Sequence, residues 1–205
     1  APPCSIHPSS WAPSQPWHRT FQSLMPFLVR EILLVSSAYD AFVLEEDGSL
    51  SDRLFYEYSE LSLSWAPRLT HAATLDEALA VLAERRIDLV ITVVRVGDVD
   101  AGQLSRAIKG LHRDIPVVLL IFDEADLSLW PEARTHSEGI DSTFLWTGSA
   151  GVLIAAIKSI EDQKNALHDT ATAGVQVILV VEDRVRAYSR FLALLYAELL
   201  TQSGS

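Results

Sequence analysis

A chain of 205 residues, 49% of them hydrophobic, can hold one domain with appendages, or one domain and part of another. Its formal net charge of −11 argues against a nucleic-acid backbone as partner, which needs clustered Lys and Arg, and against an anionic membrane surface. A single cysteine, Cys4, excludes an internal disulfide and any cysteine-based zinc site and suits a reducing cytoplasm, and no apolar run approaches the ~18 residues of a membrane span.

Six of the nine prolines fall between Pro2 and Pro26, among serines and the aromatic residues Trp11, Trp17 and Phe21. Residues 1–30 therefore read as a proline-rich tail, either extended or an arm that docks on the domain or on a partner. From Glu31 the pattern turns regular. Residues 32–35 form a short aliphatic run ending in Ser36 and Ser37, a buried strand followed by small polar residues. The acidic stretch 40–51, with Glu45, Glu46, Asp47 and Gly48, reads as a long connection to an amphipathic helix over 52–63, whose Leu54, Phe55, Tyr58 and Leu61 recur near helical spacing. Residues 68–72 are a second strand. Thr74 and Glu77 form a capping box, in which hydroxyl and carboxylate satisfy free donors at the start of a helix running to about Arg86.

Residues 87–94 are rich in β-branched side chains, the mark of a strand buried on both faces of a parallel sheet, and lead into a loop with Gly97, Asp98 and Asp100. A helix over 101–112, a strand over 117–122, a weak helix over 124–137 broken by Pro131, a strand over 143–146 and a strong helix over 149–167 follow. Five strands alternating with five helices imply an α/β three-layer sandwich with right-handed crossovers. The most apolar strands are the first, third and fourth, and placing them at the centre gives the flavodoxin-like order 2-1-3-4-5.

The run Asp88-Leu89-Val90-Ile91 with its following loop, then Asp114-Ile115-Pro116-Val117-Val118, then Glu138-Gly139-Ile140-Asp141-Ser142, occur in the order and separation found in receiver domains of two-component response regulators. Residues 31–168 thus resemble a CheY-like receiver. The resemblance implies chemistry at five places. An acidic pair after the first strand holds Mg²⁺, a hard cation that takes carboxylate oxygens. An aspartate ending the third strand is the phosphoryl acceptor. A hydroxyl after the fourth strand and a lysine after the fifth attend the phosphoryl oxygens. Here those places carry Ser36 and Ser37, Val93, Ile121 and Trp146.

Neighbouring groups offer poor substitutes. Asp88 starts its strand, Asp98 and Asp100 lie beyond the acceptor place, Thr92 faces the other side by strand alternation, and Asp40 and Asp123 are lone loop carboxylates. The pocket is expected to be degenerate, filled by Val93, Ile121 and Trp146, and without a metal. His71, His112, His136 and His168 lack ligand spacing, and Thr147-Gly148-Ser149 reads as a turn and N-cap.

After a linker at 169–174, residues 175–181 read as another first strand, now ending in Glu182 and Asp183, followed by an amphipathic helix over 184–200 with Phe191, Leu192, Leu194, Leu195 and Leu199. Residues 175–205 resemble the first strand and helix of a second, truncated receiver, in which Glu182 and Asp183 match the Mg²⁺-binding acids. A lone βα unit cannot bury both faces of its strand, so 174–202 is expected to pack on the first domain or on a second copy, giving a homodimer. The tandem resembles the N-terminal part of multidomain bacterial proteins, some carrying a phosphoenolpyruvate-synthase-like region. The resemblance implies a cytoplasmic, non-catalytic signalling module of a phosphorelay that acts by protein–protein contact, uses no cofactor in its first domain and is not an enzyme. The competing expectation is a small flavodoxin-like enzyme or ligand-binding domain working through the acidic stretch 40–51.

Overall fold

The computed structural model describes residues 25–63, 65–126 and 139–203. Cys4, nearly all of the proline-rich tail and most of the helix expected over 124–137 lie outside the described residues.

Five parallel strands make the main sheet: β1 (Glu31–Val35), β2 (Arg68–Ala72), β3 (Leu89–Val93), β6 (Val117–Ile121) and β7 (Ser142–Leu145). They lie in the order β2-β1-β3-β6-β7. With the short antiparallel pair β4 (Arg95–Val96) and β5 (Val99–Asp100) set aside, this is the order 2-1-3-4-5 that the apolar runs imply, the flavodoxin-like arrangement. β3 and β6 are buried along their whole length, as strands covered by helices on both faces must be.

The helices are α1 (Ala38–Leu44), α2 (Leu50–Glu60), α3 (Leu75–Glu84), α4 (Ala101–Leu111), α5 (Ala150–Ala173) and α6 (Val185–Ser203). Strand alternation divides the core in two. Ile32, Leu34, Leu89, Ile91, Val118, Leu120 and Phe144 pack toward α2 and α5; Leu33, Val35, Val90, Leu119, Ile121 and Leu145 pack toward α3 and α4. The turn before β7 shows why its residues stand where they do. Gly139 has φ +83°, and a Cβ there would lie 2.7 Å from Ser105 Oγ, so only glycine fits. Two residues on, Asp141 accepts from Val117 N and Lys109 Nζ, both at 2.7 Å, and ties β7 to β6 and α4.

Four local expectations change. The acidic connection is not open loop: Ser37 caps α1, which takes up 38–44 and leaves only a short turn before α2. In α2 the buried residues are Leu50, Leu54 and Tyr58, while Phe55 is 65% exposed, because the helix starts earlier and presents a different stripe to the sheet. α5 continues through the expected linker to Ala173 and ends at Gly174 in the left-handed conformation. Residues 175–183 make no strand. Their backbone finds no ladder to join, and Val177, Ile178, Leu179 and Val181 stay exposed.

α6 instead docks on its own domain, against α5 and β7. Leu192 enters the core, with Tyr188, Leu195 and Tyr196 packed beside it, whereas Phe191, Leu194 and Leu199 on the other face remain exposed. The outer edge of β7 is thereby covered: Leu145 N donates to Ser189 Oγ at 2.8 Å. With α6 on one side and the sheet on the other, α5 is buried on every face from Val152 to Glu161.

Candidate functional site at the carboxyl edge of the sheet

In an open parallel sheet the loops beyond the carboxyl ends of the strands form the binding crevice. Ser36, Ser37, Val93, Ile121 and Trp146 all stand there, at or just beyond the ends of β1, β3, β6 and β7. Ser36 is fully buried, its N–H given to Ala72 O at 3.2 Å and its hydroxyl 3.0 Å from His71 Nε2. Ser37 is the N-cap of α1: its Oγ accepts from Asp40 N at 3.1 Å and donates to Asp40 Oδ2 at 2.6 Å. Both hydroxyls are thus engaged inside the fold.

Val93 is 2% exposed and Ile121 fully buried, in the layer facing α3 and α4. Trp146 does not join them as a single plug. Alternation along β7 sends Leu145 to their layer and Phe144 and Trp146 to the other, where the indole lies in the core beside α2 and α5. Its backbone stays close, Trp146 N donating to Ile121 O at 2.8 Å. Arg53 of α2 closes the mouth over it: the guanidinium sits 5.7 Å from the indole centroid and donates to Gly148 O. Nothing in the sequence pattern singles out Arg53, because its role depends on how α2 faces the turn before α5.

The nearby carboxylates serve turns. Asp100 and Gln103 form a capping box at α4. Asp123 Oδ1 accepts from Ala125 N at 2.9 Å, and Asp126 Oδ2 accepts from Phe122 N and Asp123 N. Asp88 lies at the opposite end of β3, accepting from Arg30 N and Glu31 N and paired with Arg86 at 3.2 Å. Thr92 is buried and gives its hydroxyl to Val93 O. At the carboxyl edge Mg²⁺ would meet two committed hydroxyls, apolar side chains and the Asp40 carboxylate, itself bonded to Ser37, a donor set poor in charge for a hard dication. Among the described residues there is no group of three or more His, Cys, Asp or Glu side chains that could hold a metal ion.

Glu182 and Asp183 lie just before α6, whose start is tied to the loop beyond β6 at this same end of the sheet. Glu182 Oε1 accepts from both the backbone N and the Nε of Arg184, and these bonds hold its carboxyl below the ordinary range. Arg186 ties the start of α6 to Glu124. Among the other histidines, His168 pairs with Asp169, and His136 lies outside the described residues. The Thr147-Gly148-Ser149 turn is an N-cap, Gly151 N donating to Ser149 Oγ.

No model of a known protein family matches the sequence, and neither does any curated protein. Solved structures do. A CheY-like receiver domain protein from Methanospirillum hungatei JF-1 superposes with a TM-score of 0.50 at 16% identity, over 68% of this chain and 98% of that one. A receiver domain protein from Clostridium thermocellum matches with a TM-score of 0.49 at 20% identity, covering 68% and 99% of the two chains. The signal receiver domain of a histidine kinase from Syntrophus aciditrophicus gives 0.45 at 23% identity, covering 75% and 99%. At such identities the likeness concerns the fold, and the fold is that of receiver domains. Among the described residues no helix is long and apolar enough to cross a membrane.

Proposed function

We propose that residues 31–168 are a receiver-like signalling module of a two-component phosphorelay that has left phosphoryl chemistry behind and acts by protein–protein contact, in the cytoplasm and without a cofactor. The observation that carries this reading is Val93: at the carboxyl end of the third sheet strand, where a receiver keeps its acceptor carboxylate, stands an aliphatic side chain 2% exposed in an apolar layer. A valine has no lone pair to attack phosphorus, and Ser36 and Ser37 lack the negative charge that would bring Mg²⁺ to the same edge. Scaffold without reagents leaves shape and surface as the means of signalling.

The same reading assigns residues 175–205, by their sequence, to the start of a second receiver-like unit with Glu182 and Asp183 as its Mg²⁺-binding acids, although here 175–183 make no strand and α6 packs on α5 and β7. In support, Val177, Ile178, Leu179 and Val181 form a run of strand-forming residues left exposed and unladdered. Through these side chains and the free face of α6, residues 175–202 also offer a homodimer surface.

Incubation with a small phosphodonor and Mg²⁺ followed by intact-mass and peptide mapping tests the proposal. No stable phosphoryl adduct is expected on residues 31–168, and light scattering on the same sample is expected to report a dimer. An adduct mapped to the β3–β6 half of the domain overturns the non-catalytic reading; a monomer at all concentrations removes the dimer.

A further inference from the structure

Four large aromatic side chains stand in water on the first two helices. Tyr39 is 74% exposed and Phe42 69%, three residues apart and therefore on one face of α1. Phe55 is 65% exposed and Tyr56 64%, on the side of α2 turned away from the buried Leu50, Leu54 and Tyr58. Single exposed apolar residues are ordinary, but four rings on two successive helices call for a reason. The fold does not supply one. α1 buries only Leu44, and α2 holds the sheet through its other side. Aromatic residues are also poorer helix formers than the Glu, Gln or Lys that usually fill solvent-facing places.

The charge around the rings defines what they suit. Residues 38–60 carry seven acids and one base, a net −6 of the chain's −11. The base, Arg53, is turned over Trp146 and bound to Gly148 O. Glu45, Glu46, Asp47, Asp52 and Glu60 are exposed, and among the described residues none of them has an ion-pair partner. Rings set in such a field repel phosphate backbones and anionic lipid. They attract Lys and Arg, whose apolar stems pack on a ring face while the charge sits over it or reaches a carboxylate.

We propose that the outer faces of α1 and α2, with the acidic turn between them, are the docking surface for a basic amphipathic segment of a partner protein, one that carries Lys and Arg beside apolar side chains. Tyr39, Phe42, Phe55 and Tyr56 are its anchors; the carboxylates around them select positive charge and speed the encounter. This gives a partner chemistry to the module proposed above to act by protein–protein contact, and it rests on that reading for its part in signalling. The two fail separately: a phosphoryl adduct on residues 31–168 removes the non-catalytic reading and leaves the binding described next unaltered.

The probe is a labelled helical peptide, Lys-Leu-Leu-Lys-Lys-Leu repeated three times, titrated with the full chain in fluorescence anisotropy at physiological salt. A twin peptide has Gln in place of every Lys. Saturable binding of the basic peptide is expected, and the Gln twin is expected to bind at least about tenfold more weakly. Phe42→Ser combined with Phe55→Ser changes neither the charge nor the core and is expected to weaken binding at least about tenfold. Glu45→Gln combined with Glu46→Gln, which keeps every ring, is expected to weaken it as well. All four positions are exposed, and native circular dichroism of each variant checks the fold. Absence of saturable binding overturns the proposal. So does binding that the double serine variant leaves unchanged, which is charge attraction to an acidic chain alone, and so does equal binding of the Gln twin, which is apolar attachment alone. Sedimentation with phosphatidylcholine vesicles is the last arm: the unaltered chain is expected to stay in solution, and sedimentation abolished by the double serine variant would make this surface a membrane anchor instead.

Discussion

Val93 and Glu161 show at single-residue scale how the two ends of this molecule differ. Val93 sits in a layer of aliphatic side chains with no donor to receive a charge. Restoring an acid there by Val93→Asp is expected to cost at least ~2 kcal/mol in urea denaturation, because a carboxylate would be buried without a partner. Stability unchanged by V93D would mean that the edge is wetter than the packing shows. Glu161 is a carboxylate that the fold does bury. Desolvation raises its pKa, and Lys158 and the Val29 amide only partly oppose that. A raised folded-state pKa means that the folded chain holds the proton more tightly than the unfolded one. The associated stability is therefore complete below the ordinary glutamate value of 4.5 and is lost as pH rises through the elevated one. Glu161→Gln removes this dependence, so the stability of E161Q relative to the unaltered chain is expected to climb as pH rises from 4.5 and then to level off. A difference independent of pH over that range would contradict the assignment.

Among the elements, the aliphatic runs of β1, β3 and β6 were plain in the sequence, because a strand covered on both faces must be apolar at every position. The capping residues Thr74 and Ser149 were equally legible, since each signal is local. The stretch 175–181 misleads for the opposite reason. Its residues favour a strand, but strand formation needs a neighbour, and pattern alone does not say whether one is present. The chain solves its edge problem with a helix: α6 lies against β7, and Ser189 Oγ satisfies the N–H of Leu145. Ser189→Ala leaves that buried donor unpaired and is expected to cost about 1–3 kcal/mol in chemical denaturation. Exchange of the Leu145 amide should accelerate with it. An effect within error would mean that α6 is not held on the edge in solution. The long apolar run of α5 acquires its sense here too, since a helix hydrophobic all round must be covered all round, and α6 supplies the missing wall.

Across the whole molecule, one scaffold carries two ends of different character. The amino end of the sheet is polar and specific in its bonds: Asp88, Glu161 and Asn165 fix the backbone of residues 27–31. The carboxyl edge, where this fold ordinarily does its work, is capped, apolar and stacked under Arg53. The places of Ser36, Ser37, Val93, Ile121 and Trp146 followed from strand positions and could be read in advance. The split of Trp146 from Val93 and Ile121, and the part played by Arg53, could not, because each depends on which face a strand end or a helix turns inward. The central claim is that this edge receives neither Mg²⁺ nor a phosphoryl group. It is tested most directly by amide NMR spectra of the chain titrated with Mg²⁺ and beryllofluoride, a phosphoryl mimic. The account predicts that the resonances of Ser36, Ser37, Val93, Val94, Ile121 and Trp146 stay in place, with any Mg²⁺ response confined to Glu182 and Asp183; saturable shifts at the ends of β1 and β3 would contradict it.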